Sequence, residues 1–151
     1  MSKSADHGLE RKLTVLGRWH EEHGGDMVNF GGFWMPRHYG RGRTRTSMLD
    51  DPIIWEHVQT RRKVGAFDVS HMGRFDLIGP DALSLAQYVL TNNAAALEDG
   101  QGQYTLLSDS QGFALDDAYL YRLGSDQFRL VVNAGNRAKN WAWLTEHKNK
   151  F

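Results

Sequence analysis

The segment that organises the predicted fold is GFALDDAYLY, residues 112–121, in which two adjacent aspartates interrupt an apolar and aromatic strand pattern. Successive side chains of a strand point to opposite faces, so only one of Asp116 and Asp117 can face a given pocket. In a regular strand, Tyr119 and Tyr121 share a face with Asp117. A carboxylate flanked by two aromatic rings suits a flat heterocycle that carries N–H groups. The alternative is a turn at a strand start with core tyrosines, and these residues alone favour it, because turns commonly recruit aspartate.

The composition limits the class of protein. The 151 residues suffice for one domain, or for one domain and a fragment. Eighteen Lys and Arg residues balance eighteen Asp and Glu residues, so no net charge attracts nucleic acid or an anionic membrane. The absence of cysteine excludes disulfides, thiol catalysis and cysteine-bearing zinc sites. Since neither a signal-like leader nor an apolar run of roughly 18 residues is visible, we expect a soluble, cytoplasmic protein without membrane contact.

The N-terminal segment carries a helix-like pattern and a pair of histidines. Leucines at helical spacing between residues 9 and 16 predict a short helix that ends near Gly17. His20 and His23 are spaced as i and i+3, but no third ligand stands where it would complete a metal site. We therefore predict no metal here and place both histidines at a solvated helix end or in a loop.

Residues 37–45 form a run rich in arginine and glycine. No clear strand precedes the run, and it lacks the dinucleotide-binding fingerprint, so an exposed loop is favoured over a phosphate site. Asp50 or Asp51, followed by Pro52, then predicts the start of a helix that ends near residues 63–65.

From residue 66 onward the pattern predicts a strand, a helix, three strands joined by tight turns, and a last helix. The strands cover residues 74–78, 103–107, the opening segment and 128–132; the first helix follows GPD at 79–81, and the last carries Ala138, Trp141 and Thr145 on one face. This order indicates an α+β fold, with helices packed on an antiparallel sheet of split-βαβ type.

Seven stretches stand out along the chain. They are FGGFWMP (30–36), EHVQTR (56–61), VGAFDVSHMG (64–73), GPDAL (79–83), YTLL (104–107), the opening segment (112–121) and LVVNA (130–134). Together they resemble the N-terminal part of the aminomethyltransferase family, the T-protein of the glycine cleavage system. FDVSHM at 67–72 is the specific motif, and order and spacing match from about Leu13 onward. The chain is identified as a member of this folate-binding superfamily.

The resemblance implies a division into domains. Residues 1–50 would begin a discontinuous first domain of Greek-key type that includes the Arg/Gly-rich loop, and residues 51–151 would form an α+β folate-binding domain. Family members run to more than twice this length and have three domains, so we expect the remaining domains to be absent from this chain. The stretch from Gly40 to Asp51 resembles an insertion relative to the family.

The resemblance also implies an activity and its residues. The T-protein takes the aminomethyl group carried on the lipoyl arm of the H-protein, releases ammonia and passes the methylene to tetrahydrofolate. The family's catalytic carboxylate falls on Asp117, and its folate-site positions fall on Met72, Tyr104, Tyr119, Tyr121 and Asn133. A carboxylate beside the attacking amine can orient it, accept its proton and favour an iminium-like state.

Two polar residues, each next to a predicted site residue in the sequence, receive structural roles. Asp116 is expected in a turn or in backbone capping rather than in the chemistry. His71 could be interpreted as a general base, but its position at the start of a strand favours a structural hydrogen bond.

Alternative functions stay open at this point. One is a tetrahydrofolate-dependent demethylase of the same superfamily that acts on another methyl donor, because the donor-side contacts lie largely outside these residues. Another is a truncated, non-catalytic folate-binding module, so whether the chain is itself an enzyme is undecided. Binding of nucleic acid through the arginine-rich loop is disfavoured by the balanced charge.

Overall fold

The computed structural model describes residues 11–40 and 50–151, and the contacts divide the chain into two compact units. The first unit is Met1–His71 and the second is Met72–Phe151. The boundary predicted from the sequence lies earlier, between residues 50 and 51, and its assignment to family domains stays a prediction. Most of the predicted insertion, Gly40 to Asp51, and most of the Arg/Gly-rich loop fall on residues 41–49, outside the described ranges, whereas residues 37–39 lie in a strand rather than in the predicted loop.

The described part of the first unit contains a three-stranded mixed sheet and two helices. Its elements are β1 (Lys12–Leu13), α1 (Gly17–Glu22), β2 (Gly25–Phe30), β3 (Phe33–Tyr39) and α2 (Pro52–Arg62). The strand order is β1-β3-β2, with β1 parallel and β2 antiparallel to β3. The helix predicted to end near Gly17 is wrong, since Leu13 pairs with Trp34 of β3 and α1 begins only at Gly17. A long-range strand pairing thus overrides the local leucine spacing.

Helix α2 belongs to the first unit because of contacts with β3. Glu56 on α2 accepts a hydrogen bond from the backbone N–H of Tyr39 at 2.6 Å. The predicted start is confirmed: Asp51 is the N-cap, and its carboxylate accepts hydrogen bonds from the backbone N–H groups of Ile53 (3.0 Å) and Ile54 (3.4 Å). Pro52 at the first turn loses nothing by lacking an N–H.

The second unit is built on a four-stranded antiparallel sheet. Its elements are β4 (Gly73–Ile78), α3 (Ala82–Val89), β5 (Gly102–Ser108), β6 (Ala114–Gly124), β7 (Gln127–Val132) and α4 (Arg137–Lys148), with short 3-10 turns at Ala94–Ala96 and Ala134–Asn136. The strand order is β4-β7-β6-β5, so α3 connects the two edge strands. The α+β class and the antiparallel sheet with packed helices are confirmed. None of the helices in the described ranges is long and apolar enough to cross a membrane.

One face of this sheet is covered by α3 and α4, and the other is exposed. The core joins Ala86 and Val89 of α3 and Leu144 of α4 to inward side chains of the strands. The fully buried apolar strand residues are Leu107, Leu120, Phe128, Leu130 and Val132. Along β6 the pattern alternates as predicted: Asp116, Ala118 and Leu120 are buried, whereas Asp117, Tyr119 and Tyr121 are exposed.

The face of α4 that carries Ala138, Trp141 and Thr145 is not its buried face. The buried residues are Asn140, Leu144 and His147, and Trp141 is 57% exposed. The expected face relied on apolar spacing, but the helix turns a polar side chain, Asn140, toward the sheet, where it bonds to Asp116 at 2.5 Å. Because the sheet presents a buried carboxylate, the helix face that suits it carries an amide.

Asp51→Ala is expected to lower the free energy of unfolding by about 1 kcal/mol, because it removes the acceptor for two backbone N–H groups at the start of α2. Urea unfolding followed by circular dichroism measures this loss. The matched control is Asp81→Ala, since Asp81 is the N-cap of α3 but makes no side-chain cap hydrogen bond. Equal losses in both variants would contradict the capping role of Asp51.

Candidate functional site

Asp117 lies on the exposed face of the second unit and is held from both sides. Its Oδ2 accepts a hydrogen bond from the Tyr104 hydroxyl at 3.1 Å, and its Oδ1 accepts one from Asn133 Nδ2 at 2.6 Å. Tyr104 comes from β5 and Asn133 follows β7, so both strands that flank β6 contribute a donor. The carboxylate is therefore fixed in position while remaining open to solvent on the sheet surface.

Tyr104 acts on Asp117 as a donor. Partial desolvation of its hydroxyl, together with the hydrogen bond to Asp117, raises the pKa of Tyr104 above that of an ordinary phenol. The hydroxyl is therefore protonated at neutral pH and can only present its hydrogen to the carboxylate. Tyr104 thus orients Asp117 by donating a hydrogen bond to it.

Two tyrosine rings lie on the same exposed face of β6 as this carboxylate. The rings of Tyr119 and Tyr121 are 4.9 Å apart and tilted by 41°, and each side chain is 40% exposed. They lie over Gly102 of β5, where an added Cβ would come within 2.6 Å of the Tyr119 ring and 2.8 Å of the Tyr121 ring. Glycine at this position therefore gives the rings room to lie flat across β5. We call the surface formed by Tyr104, Asp117, Tyr119 and Tyr121 the tyrosine face.

Met72 and Asn133 stand at one end of the same sheet. Gly73 pairs with Val132 across β4 and β7, so the residues next to them, Met72 and Asn133, lie at neighbouring strand ends. Both are half-buried. Hydrogen bonds join Asn133 and Tyr104 to Asp117, and ring contact joins Tyr119 to Tyr121, whereas Met72 is brought near by strand register. Their roles in binding and catalysis stay predictions.

Asp116 is not in a turn, which corrects the prediction. It lies inside β6, is 6% exposed and faces α4. Its donors are the Asn133 backbone N–H (3.2 Å) and the side-chain amides of Asn133 (2.9 Å), Asn136 (2.7 Å) and Asn140 (2.5 Å). Backbone capping therefore supplies one contact of four. Burial opposes the charge, but these hydrogen bonds outweigh it and hold the pKa of Asp116 below its ordinary value.

The first unit contains a buried polar network that the sequence did not reveal. The Asp68 carboxylate accepts hydrogen bonds from the Thr14 hydroxyl at 2.6 Å and from the Ser70 backbone N–H at 2.9 Å, and it lies 2.9 Å from His20 Nε2. The other ring nitrogen of His20 contacts the Tyr39 hydroxyl. The predicted solvated position is wrong for His20, which is only 4% exposed. In the described ranges, no group of three or more His, Cys, Asp or Glu residues is arranged to hold a metal ion.

His71 does not have the predicted hydrogen-bonding role. Its ring is 8% exposed and packs edge-on against Phe30, with ring centroids 5.4 Å apart. Its Nδ1 is buried without a hydrogen-bond partner among the described residues. Packing, rather than hydrogen bonding, therefore accounts for its position in the first unit.

The family follows from a comparison with known proteins. The family model described as the GCVT N-terminal domain matches residues 16–150. The chain belongs to this family. Among curated GCVT-family relatives, the aminomethyltransferases of Chlorobaculum parvum and Chlorobaculum tepidum are each 44% identical over 140 residues, which is 93% of this chain and 35% of theirs.

A solved structure agrees with this membership. The crystal structure of glycine cleavage system aminomethyltransferase T from Bartonella henselae matches with a TM-score of 0.75 and 33% identity, over 91% of this chain and 35% of that chain. The chain thus spans about a third of the length of the family members it matches. The resemblance stated from the motifs, and the fold that it implied, are confirmed.

Proposed function

We propose that this chain provides the folate-binding face and the catalytic carboxylate of a tetrahydrofolate-dependent aminomethyltransferase. In that reaction a methylene passes from the aminomethyl-lipoyl arm of an H-protein to tetrahydrofolate, and ammonia leaves. Membership of the aminomethyltransferase family supports the reaction class. The observation that carries the proposal for these residues is the fixed but exposed carboxylate of Asp117 on the same strand face as two tyrosine rings.

The tyrosine face fits a pterin in shape and in chemistry. A flat heterocycle needs an apolar surface for its ring, which Tyr119 and Tyr121 offer, and an acceptor for its N–H groups, which Asp117 offers. The absence of a side chain at Gly102 keeps the rings low on the sheet, so the face stays open. Asp117 already has a donor on each oxygen, and each carboxylate oxygen has a further lone pair available for a ligand.

In this proposal the protein orients the attacking amine of tetrahydrofolate and accepts its proton. Tetrahydrofolate supplies the amine nucleophile when it is bound. Asp117 would accept an N–H of that amine in a hydrogen bond, and its negative charge would favour the cationic state that develops at the methylene. Tyr104 and Asn133 would hold the carboxylate still, so that little reorganisation accompanies the reaction.

Calorimetric titration of the chain with tetrahydrofolate under anaerobic conditions tests the proposed face. We expect binding in the low micromolar range, and Tyr121→Ala is expected to weaken it by about tenfold, since a lost ring contact costs on the order of 1 kcal/mol. Tyr88→Ala is the matched control, because Tyr88 is an exposed tyrosine on α3, which packs against the opposite side of the sheet. Equal weakening in both variants, or no binding to the unmutated chain, would overturn the assignment of the face.

Two related functions would give different results in the same system. A non-catalytic folate-binding module would bind tetrahydrofolate but support no transfer when the rest of the protein is supplied. A demethylase of the same superfamily would transfer a methyl group from a small donor and none from lipoylated H-protein. Assays with both donors separate these functions from the proposed one.

A further inference from the structure

The side-chain amide of Asn133 touches both adjacent carboxylates. Its Nδ2 lies 2.9 Å from Asp116 Oδ1 and 2.6 Å from Asp117 Oδ1. A carboxylate oxygen only accepts hydrogen bonds, and a primary amide has two N–H groups on one side and a carbonyl on the other. Both contacts are hydrogen bonds only when the nitrogen faces the pair of aspartates, so Asn133 donates one hydrogen bond to each carboxylate.

The orientation of this amide depends on Asp116. Asp116 is buried and also receives the amides of Asn136 and Asn140, so every side chain around it presents a donor. Asn140 is fully buried, and its carbonyl oxygen has no hydrogen-bond partner in the described part of the chain. Such an orphaned acceptor is costly, which indicates that the amide nitrogen of Asn140 is committed to Asp116.

A neutral residue at position 116 would remove the constraint on the orientation of the Asn133 amide. In Asp116→Asn, the new amide nitrogen can donate to the carbonyl of Asn133, and that contact favours a rotated Asn133 side chain. The rotation would turn the Asn133 carbonyl toward Asp117, where two acceptors repel each other. Asp117 would then lose the 2.6 Å donor that holds its Oδ1.

We infer that Asp116 is a positioning residue: its buried carboxylate sets the amide orientation of Asn133, which in turn fixes Asp117 for the ligand. The inference rests on the proposed function only because it assumes that Asp117 binds a ligand. The orientation of Asn133 itself is a property of the free chain. This role differs from that of Asp117, because Asp116 faces α4 and does not reach the tyrosine face.

Solvent exchange of side-chain amide protons, measured by NMR on the unmutated chain without ligand, tests the orientation. Both Asn133 amide protons are expected to exchange more slowly than those of Asn149, an exposed asparagine at the end of α4. In Asp116→Asn, at least one Asn133 proton should exchange as fast as those of Asn149. If both Asn133 protons already exchange that fast in the unmutated chain, the inference is overturned without any variant having to fold.

A double-mutant cycle on the turnover number of methylene transfer tests the coupling, in a chimaera that joins this chain to the remaining part of the Chlorobaculum parvum aminomethyltransferase. Asp116→Asn and Asn133→Ala should each lower turnover by about tenfold, and the double variant should lower it no further, because Asp116 acts through Asn133. A merely structural role for Asp116 would make the two effects add, and that outcome overturns the inference. Asp126→Asn, which removes a charge from the exposed β6–β7 turn, should leave turnover unchanged. If the unmutated chain binds no tetrahydrofolate, the proposed function of this face fails, while the exchange measurement still decides the orientation of Asn133.

Discussion

Asp117→Asn is expected to lower the turnover number of methylene transfer by about 10²–10³-fold while leaving the affinity for tetrahydrofolate largely unchanged. The substitution keeps the shape of the side chain and the neighbouring rings, so the apolar part of binding persists. It removes the negative charge and one acceptor, and its new N–H group faces a donor, either Tyr104 or Asn133. The loss should therefore appear in the chemical step rather than in binding.

The assay needs the part of the family's length that this chain does not span. A chimaera in which residues 13–150 replace the matching third of the Chlorobaculum parvum aminomethyltransferase supplies them, since the two sequences are 44% identical over 140 residues. Release of ammonia from aminomethyl-lipoyl H-protein and formation of methylenetetrahydrofolate are measured together. Asp126→Asn in the same chimaera should retain full turnover. If Asp117→Asn retained turnover near that of the unmutated chimaera, Asp117 would not be the reacting carboxylate.

The local features of the fold were accessible from the sequence. Strand β6 was predictable because apolar and polar side chains alternate along it, and that alternation also separates Asp117 from Asp116. The start of α2 was predictable because Asp51 and Pro52 carry the chemistry of a helix N-terminus. In each case a short stretch contains both the signal and the physical reason for the structure.

The surroundings of Asp116 were not predicted, although the sequence contains a signal for them. Asn133, Asn136 and Asn140 are spaced by three and four residues, which places them on one side of a helical turn. The prediction instead followed Ala138 and Trp141, because apolar spacing normally marks the buried face. The buried face of α4 is polar here since β6 presents a carboxylate to it, a fact about a strand 17 to 24 residues away.

The network around Asp68 had no local signal at all. His20 and Asp68 are 48 residues apart, and Thr14 and Asp68 are 54 apart. Nothing in the pattern around either residue indicates that they meet. The FDVSHM motif carried the family resemblance, and its aspartate also joins residues of the first unit that lie far apart in the sequence.

Asp68→Ala is expected to cost about 3 kcal/mol of stability in the first unit, because it leaves the Thr14 hydroxyl and His20 buried without their shared acceptor. Hydrogen exchange measured by mass spectrometry should show faster exchange in peptides from residues 12–39 and 66–71. The matched control is Asp26→Asn, which alters a more exposed ion pair with Arg37 and should change stability by at most about 1 kcal/mol. Equal effects of the two substitutions would contradict the buried network.

The same carboxylate predicts how this stability depends on pH. Burial opposes its charge, but the hydrogen bonds from Thr14, Ser70 and His20 outweigh burial and hold the pKa of Asp68 well below its ordinary value. The unfolded chain therefore takes up a proton at this site near pH 4, before the folded chain does. The stabilisation that this carboxylate contributes is fully present above that pH and declines as the pH falls toward the folded pKa.

The stability difference between the unmutated chain and Asp68→Asn should accordingly be constant from pH 7 to about pH 5 and shrink below about pH 4. A difference that instead grew on acidification would mean that the folded carboxyl is protonated first, and the hydrogen-bonded carboxylate would then be the wrong description of Asp68.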